Sequence, residues 1–163
     1  DIKKLQRDLG LTVVYVTHDQ TEAMSMADKV VLMKDGRIQQ TGSPDDLYNR
    51  PANTFVAEFV GAPPMALLEA QVIDGTPAGQ MLGLRAESLR IVERDQGRLH
   101  CTVTEAEFLG SETLIGLAHK GTQGLAVLRP GLHLIPEGQP LSITFNDSDL
   151  HRFDTAGQRI TGQ

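Results

Sequence analysis

One histidine stands where an α/β protein would do chemistry. His18 follows Leu11-Thr12-Val13-Val14-Tyr15-Val16, a continuous run of β-branched and apolar residues. A run without alternation reads as a strand covered on both faces, that is, a central parallel strand. The carboxyl end of such a strand is where open α/β sheets place their ligands. A histidine there can donate to a phosphate oxygen or accept from a catalytic water. It can equally be a loop histidine that helps to start the next helix. Asp19 and Glu22, three residues apart, have the form of a capping box, and helix capping is a sufficient account of both.

The remaining titratable residues show no second constellation. His100, His119, His133 and His151 are 19, 14 and 18 positions apart, spacings that match no metal motif. Cys101 has no base partner in view and reads as a small core residue. Gly116 and Gly121 have the five-residue spacing of a phosphate-cradling loop, with Thr122 behind them. No lysine follows the second glycine, and the segment lies among hairpin signals, so that reading fails.

The elements that must position His18 come from a chain of 163 residues with 15 basic and 21 acidic side chains, a net charge of −6. Residues 1–60 hold seven basic and nine acidic side chains and residues 61–163 hold eight and twelve, so the acidity is spread as −2 and −4. Apolar residues make up 40% and aromatics 4%, a globular composition that excludes a disordered chain. The charge and the scarcity of aromatics argue against nucleic-acid binding. No apolar stretch approaches the roughly 18–20 residues of a membrane span. Asp1-Ile2-Lys3-Lys4 is no signal peptide, and the single cysteine fits a reducing compartment without disulfides.

Asp1 to Leu9 reads as the end of an amphipathic helix with Gly10 as its cap, and its uncapped start suggests a piece of something longer. After His18 a helix is expected, carrying Ala23, Met24 and Ala27 on its apolar face. A strand over Lys29–Met33, the turn Asp35-Gly36 and a strand over Arg37–Thr41 form a hairpin. Ser43-Pro44-Asp45-Asp46 starts another helix, and Phe55 and Phe59 lie at i, i+4 in a further apolar segment. Gly61-Ala62-Pro63-Pro64 is the clearest break. Beyond it the expected strands are Leu67–Ile73, Met81–Leu84, Leu89–Val92, Leu99–Phe108, Thr113–Leu117, Leu125–Leu128 and Leu141–Phe145. In the fourth, Leu99, Cys101 and Val103 alternate with His100, Thr102 and Thr104, as a one-sided strand requires. The pattern predicts an α/β fragment over 1–60 and an all-β small barrel or sandwich over 61–163.

Thr12 to Met24 closely resembles the switch-histidine segment of ATP-binding-cassette (ABC) transporter ATPases, and Ala27 to Ile38 resembles the segment next to it in that family. Thr41-Gly42-Ser43-Pro44, Leu47-Tyr48 and Arg50 to Gly61 are similar to the importer ATPases for sugars and glycerol phosphates, the group that includes the maltose ATPase. Gly83-Leu84-Arg85-Ala86-Glu87-Ser88-Leu89, Leu109-Gly110-Ser111-Glu112-Thr113 and Leu150 to Asp154 resemble their C-terminal regulatory domain, of TOBE/OB type. The resemblance covers nearly the whole chain. It implies the end of a nucleotide-binding domain over 1–60 and a regulatory domain over 61–163.

The resemblance also implies that in an intact parent His18 contacts the γ-phosphate of ATP and helps to hold the attacking water. The phosphate loop, the Leu-Ser-Gly-Gly-Gln signature and the Asp-Glu pair that binds magnesium are absent from this sequence and lie upstream in such proteins. The expected cofactors of the parent are therefore ATP and magnesium, and this chain alone is expected to bind neither. The implied partners are permease subunits, a second copy of the ATPase and a regulatory protein at the C-terminal domain, on the cytoplasmic face of the membrane. Ala86 stands where the family's Gly-x-Arg-Pro-Glu turn has proline, which leaves Arg85 and Glu87 either a regulatory interface or a plain surface turn. The stretch from Leu68 to Gly83 is shorter than usual in the family, with a strand edge expected to be left open. A different reading is a free-standing barrel that binds a small anion or oligosaccharide.

Overall fold

Asp35 and Gly36 both take left-handed backbone, with φ of 51° and 73°. Two positive φ values in succession make the tight turn whose twist matches that of paired strands. That turn closes β1 (Val30–Lys34) on β2 (Arg37–Gly42), an antiparallel hairpin with an irregular register between Leu32 and Met33. The computed structural model describes residues 2–161; Asp1, assigned above to the first helix, lies outside the described residues, as do Gly162 and Gln163.

Four short helices accompany the hairpin: α1 (Ile2–Leu9), α2 (Gln20–Met26), α3 (Pro44–Asn49) and α4 (Thr54–Phe59). Local chemistry starts three of them. Asp19 accepts from the amides of Thr21 and Glu22, Asn53 accepts from Val56, and Ser43 and Asp46 form a full capping box with Pro44 in the first turn. The Asp46 carboxyl is held down at about 2, chiefly by the Ser43 hydroxyl and then by the paired Arg50 guanidinium. Phe55 and Phe59 stack at 5.7 Å, as their spacing predicts.

The strand expected at Leu11–Val16 does not form. The segment has no regular structure and no strand partner among the described residues, and Val14 and Val16 are 87% and 91% exposed. A central parallel strand needs a strand on each side and helices over both faces. The pairings of the described strands are all antiparallel, and none reaches this run.

Beyond Pro64 the regular structure is strands joined by turns and four short 3-10 helices. One sheet has the order β5 (Arg90–Val92), β10 (Pro140–Thr144), β6 (Leu99–Phe108), β7 (Glu112–Ala118), β9 (Ala126–Pro130); the other runs β11 (His151–Phe153), β4 (Met81–Leu84), β3 (Ala66–Glu69), β8 (Thr122–Gln123). Their inner faces share a core that includes Leu68, Leu82, Leu84, Leu99, Val103, Ile115, Val127 and Ile143. Leu99, Cys101 and Val103 are buried while His100, Thr102 and Thr104 are exposed, as alternation demands. The register shifts after Val103, and the rest of β6 is exposed.

Two expectations about strands give way to the structure. The strand proposed over Leu67–Ile73 ends at Glu69, where Ala70–Val72 turn into a short 3-10 helix. The short Leu68–Gly83 stretch does not open the edge of β3, which is paired by β4 on one side and β8 on the other. The edges of that sheet fall instead on β8 and β11, of two and three residues, too short to template another chain.

The two parts meet through a second cluster, in which Ala57 of α4 packs with Met65, Leu67 and Phe153 of the β domain. A third cluster joins Leu47, Val56 and Val60 to Met24, Val30 and Leu32. Burial of a side chain such as Val56, which is fully enclosed, contributes about 1.5–3 kcal/mol.

Candidate functional site around the 18 to 20 segment

His18 sits on the exposed loop that leads into α2. Its neighbours are ordered by a local polar set. The Thr17 hydroxyl donates to Glu22 (3.0 Å) and accepts from the Asp19 amide (3.0 Å), and the Tyr15 hydroxyl donates to the same carboxylate (3.2 Å). Glu22 therefore reaches back across the loop instead of completing the box with the Asp19 amide. Its negative charge, and then its hydrogen bond, raise the ionisation of the Tyr15 phenol above the ordinary value. An open groove of about 960 Å³ lies beside the loop, lined by Val13, Tyr15, His18, Met24, Val30 and Leu32 among others.

Gln20, the first residue of α2, ties this loop to the break between the two parts. Its side-chain oxygen accepts from the Gly61 amide at 2.8 Å, and its NH2 donates to the Gly61 carbonyl at 3.4 Å. Gly61 has φ of 113°, and a Cβ there would stand 2.7 Å from Arg85 Nη1 and 3.2 Å from the Tyr48 ring. Only glycine fits both the backbone and the space.

Arg85 is the residue that sequence reasoning undervalued. It lies at the start of the turn Ala86–Ser88, yet it is 4% exposed. Its Nη1 donates to the carbonyls of Val60 (2.6 Å) and Ala57 (3.3 Å), its Nη2 donates to that of Tyr48 (2.9 Å), and Nε has no partner among the described residues. The acceptors are carbonyls at the ends of α3 and α4, where helix dipoles favour a cation. Burial lowers the basicity of the guanidinium, but an arginine keeps its charge. Glu87 accepts from the Tyr48 hydroxyl, whose ionisation is pushed up to about 12 by burial first and then by that carboxylate. Of the two roles left open above for Arg85, a plain surface turn is ruled out: the side chain lies between the parts.

The other histidines are not brought together. His100 contacts the Ser142 hydroxyl, His119 the Lys120 carbonyl, His133 the Pro130 carbonyl, and His151 accepts from Arg159 at 3.0 Å. Among the described residues no group of three or more His, Cys, Asp or Glu could hold a metal ion. His18 itself is exposed and belongs to no such cluster among the described residues.

Residues 82–153, which hold most strands of the two sheets but not β3, match the TOBE domain. Over a longer span the chain is similar to the sn-glycerol-3-phosphate import ATP-binding protein UgpC of Rhodopseudomonas palustris, 38% identical over 184 residues, covering 98% of this chain and 51% of that protein. The UgpC protein of Brucella abortus is 35% identical over 175 residues, with 99% and 50% covered. An ABC transporter ATP-binding protein of Sinorhizobium fredii is 39% identical over 185 residues, with 99% and 49% covered. The chain thus contains a match to the TOBE domain and is similar along nearly its whole length to ABC-transporter ATP-binding proteins. It spans about half the length of these relatives.

Proposed function

We propose that this chain is the switch-histidine and regulatory portion of the ATP-hydrolysing subunit of an importer that takes up a sugar or glycerol phosphate. The observation that carries the reading is similarity along nearly the whole chain to sn-glycerol-3-phosphate import ATP-binding proteins, with His18 on an exposed loop at a groove. ATP and magnesium, held by residues outside this sequence, would supply the energy. The task of His18 is to orient a water and to donate toward phosphoryl oxygens as their negative charge grows. Asp19 and Thr17 hold the loop that carries it. Residues 1–60 act as the end of the nucleotide-binding domain and residues 61–163 as the regulatory domain.

Such a subunit would work with permease subunits, a second copy of the ATPase and a regulatory protein on the β domain, with the assembly on the cytoplasmic face of the membrane. No helix among the described residues is long and apolar enough to cross a membrane. The test has two arms. A nucleotide titration of this chain should show no tight binding of ATP, and tight binding would overturn the proposed division of labour. In the longer protein, His18→Ala should abolish ATP-driven uptake, and undiminished uptake would refute the role of His18.

A further inference from the structure

The peptide unit between Val60 and Gly61 is held from both sides by residues far apart in sequence. Its carbonyl accepts from Arg85 Nη1 at 2.6 Å, and its N–H donates to Gln20 Oε1 at 2.8 Å. A peptide is planar and stiff about its C–N bond, so these two hydrogen bonds act on one rigid plate. Each also polarises the amide in the sense that strengthens the other. Arg85 belongs to the β domain, and Gln20 lies two residues beyond His18.

This tie has little competition. The segment 11–19 lacks strand pairing, and α2 buries no residue completely. Among the described residues, the hydrogen bonds from segment 11–26 to anything beyond residue 30 are the two that Gln20 makes to Gly61. The third cluster adds a packing contact through Met24, which is only partly buried. Gly61 cannot relax by gaining a side chain, because Arg85 and Tyr48 fill the space where a Cβ would stand.

We propose that Gln20 is a positioning residue for His18, and that the 60–61 peptide passes the placement of the β domain, sensed through Arg85, to the histidine loop. The inference rests on the reading of His18 given above. Withdrawal of Arg85 frees the peptide to turn, and Gln20 then loses the amide that fixes the start of α2. The regulatory domain thereby acts on the histidine without touching it.

The test is amide hydrogen exchange by NMR on this chain, with no nucleotide present. The probes are the Gly61 amide and the Ala23 amide, which donates to the Asp19 carbonyl at 3.1 Å. Gln20→Leu should speed exchange at both by about tenfold or more, while Gln20→Glu, which keeps an acceptor, should retain Gly61 protection. Arg85→Met should speed exchange at Ala23 and shift the His18 ring signals, and should add nothing at Ala23 once Gln20 is leucine. Val127→Ala, a change in the core between the two sheets, should lower stability without either effect. The proposal is overturned if Arg85→Met disturbs only residues 48–61, or if Val127→Ala reproduces its effect at Ala23. Should Arg85→Met fail to fold, unchanged Gly61 exchange in Gln20→Leu overturns it equally. None of these readouts involves ATP, so failure of His18 in hydrolysis would leave them as they are.

Discussion

Arg85 engages Tyr48 twice: its guanidinium carbon lies 4.1 Å from the ring centroid, and Nη2 donates to the Tyr48 carbonyl at 2.9 Å. Ring and backbone of one residue thus hold a cation that has left water. Such a group stabilises only where its hydrogen bonds replace hydration.

Arg85→Met is therefore expected to cost about 2–4 kcal/mol in urea unfolding, because it strands the Tyr48 and Val60 carbonyls at the ends of α3 and α4, while that of Ala57 keeps the Met65 amide. Arg85→Lys should recover less than half of the loss, since one ammonium cannot serve carbonyls of Tyr48, Ala57 and Val60 in a planar fork. A fully stable lysine variant would show that the charge alone matters.

His151 is expected to make stability depend on pH. Its ionisation is pulled from the ordinary 6.5 down to about 4, by burial first and then by Arg159 and Arg85, with Asp149 and Glu87 opposing. The folded chain therefore keeps the ring neutral while the unfolded chain protonates it below 6.5. Stability is fully present above pH 6.5 and is lost as pH falls toward 4. Substitution His151→Gln should flatten this part of the stability profile; an unchanged slope would place the dependence elsewhere.

Cys101 should be unreactive in the native state. Burial alone lifts its thiol to about 11, so almost no thiolate exists at neutral pH. Alkylation at pH 7.5 is expected only after denaturant is added, and rapid native labelling would contradict the packing.

Phe153 sits fully buried against Ala57, Met65 and Leu67. Phe153→Ala is expected to cost about 3–5 kcal/mol, with faster proteolysis around Gly61 to Pro64 as α4 loosens from the β domain. A loss below about 1 kcal/mol would mean that this contact is not what seats the helix.

Much of this architecture could be read from local signals. The Asp35-Gly36 turn, the Ser43 cap, the break at Gly61 and the alternation along β6 each depend on neighbours a few residues away, and each appears where its chemistry predicts. The run Leu11–Val16 shows the limit. Composition says what a segment tolerates, but pairing needs partners, and none of the described residues supplies them. Arg85 was ambiguous for the opposite reason: the carbonyls that bury it belong to residues 25–37 positions earlier. The anchoring role of Gln20 was hidden too, because the amide that donates to it lies 41 positions away. The reading of His18 leans on its place at the end of an apolar run, and among the described residues that run is unpaired.

The chain's last described segment has a consequence for its integrity. The Thr54 amide donates to the Gly157 carbonyl and the Arg159 amide to that of Ala52, both at 2.9 Å, and Asn53 forms a bridge with Gln158. Covalent continuity through Gly61 to Pro64 is thus not the sole fastening between the two parts. A protein cleaved within that link should migrate as one particle in native gels and separate into two peptides only on denaturation.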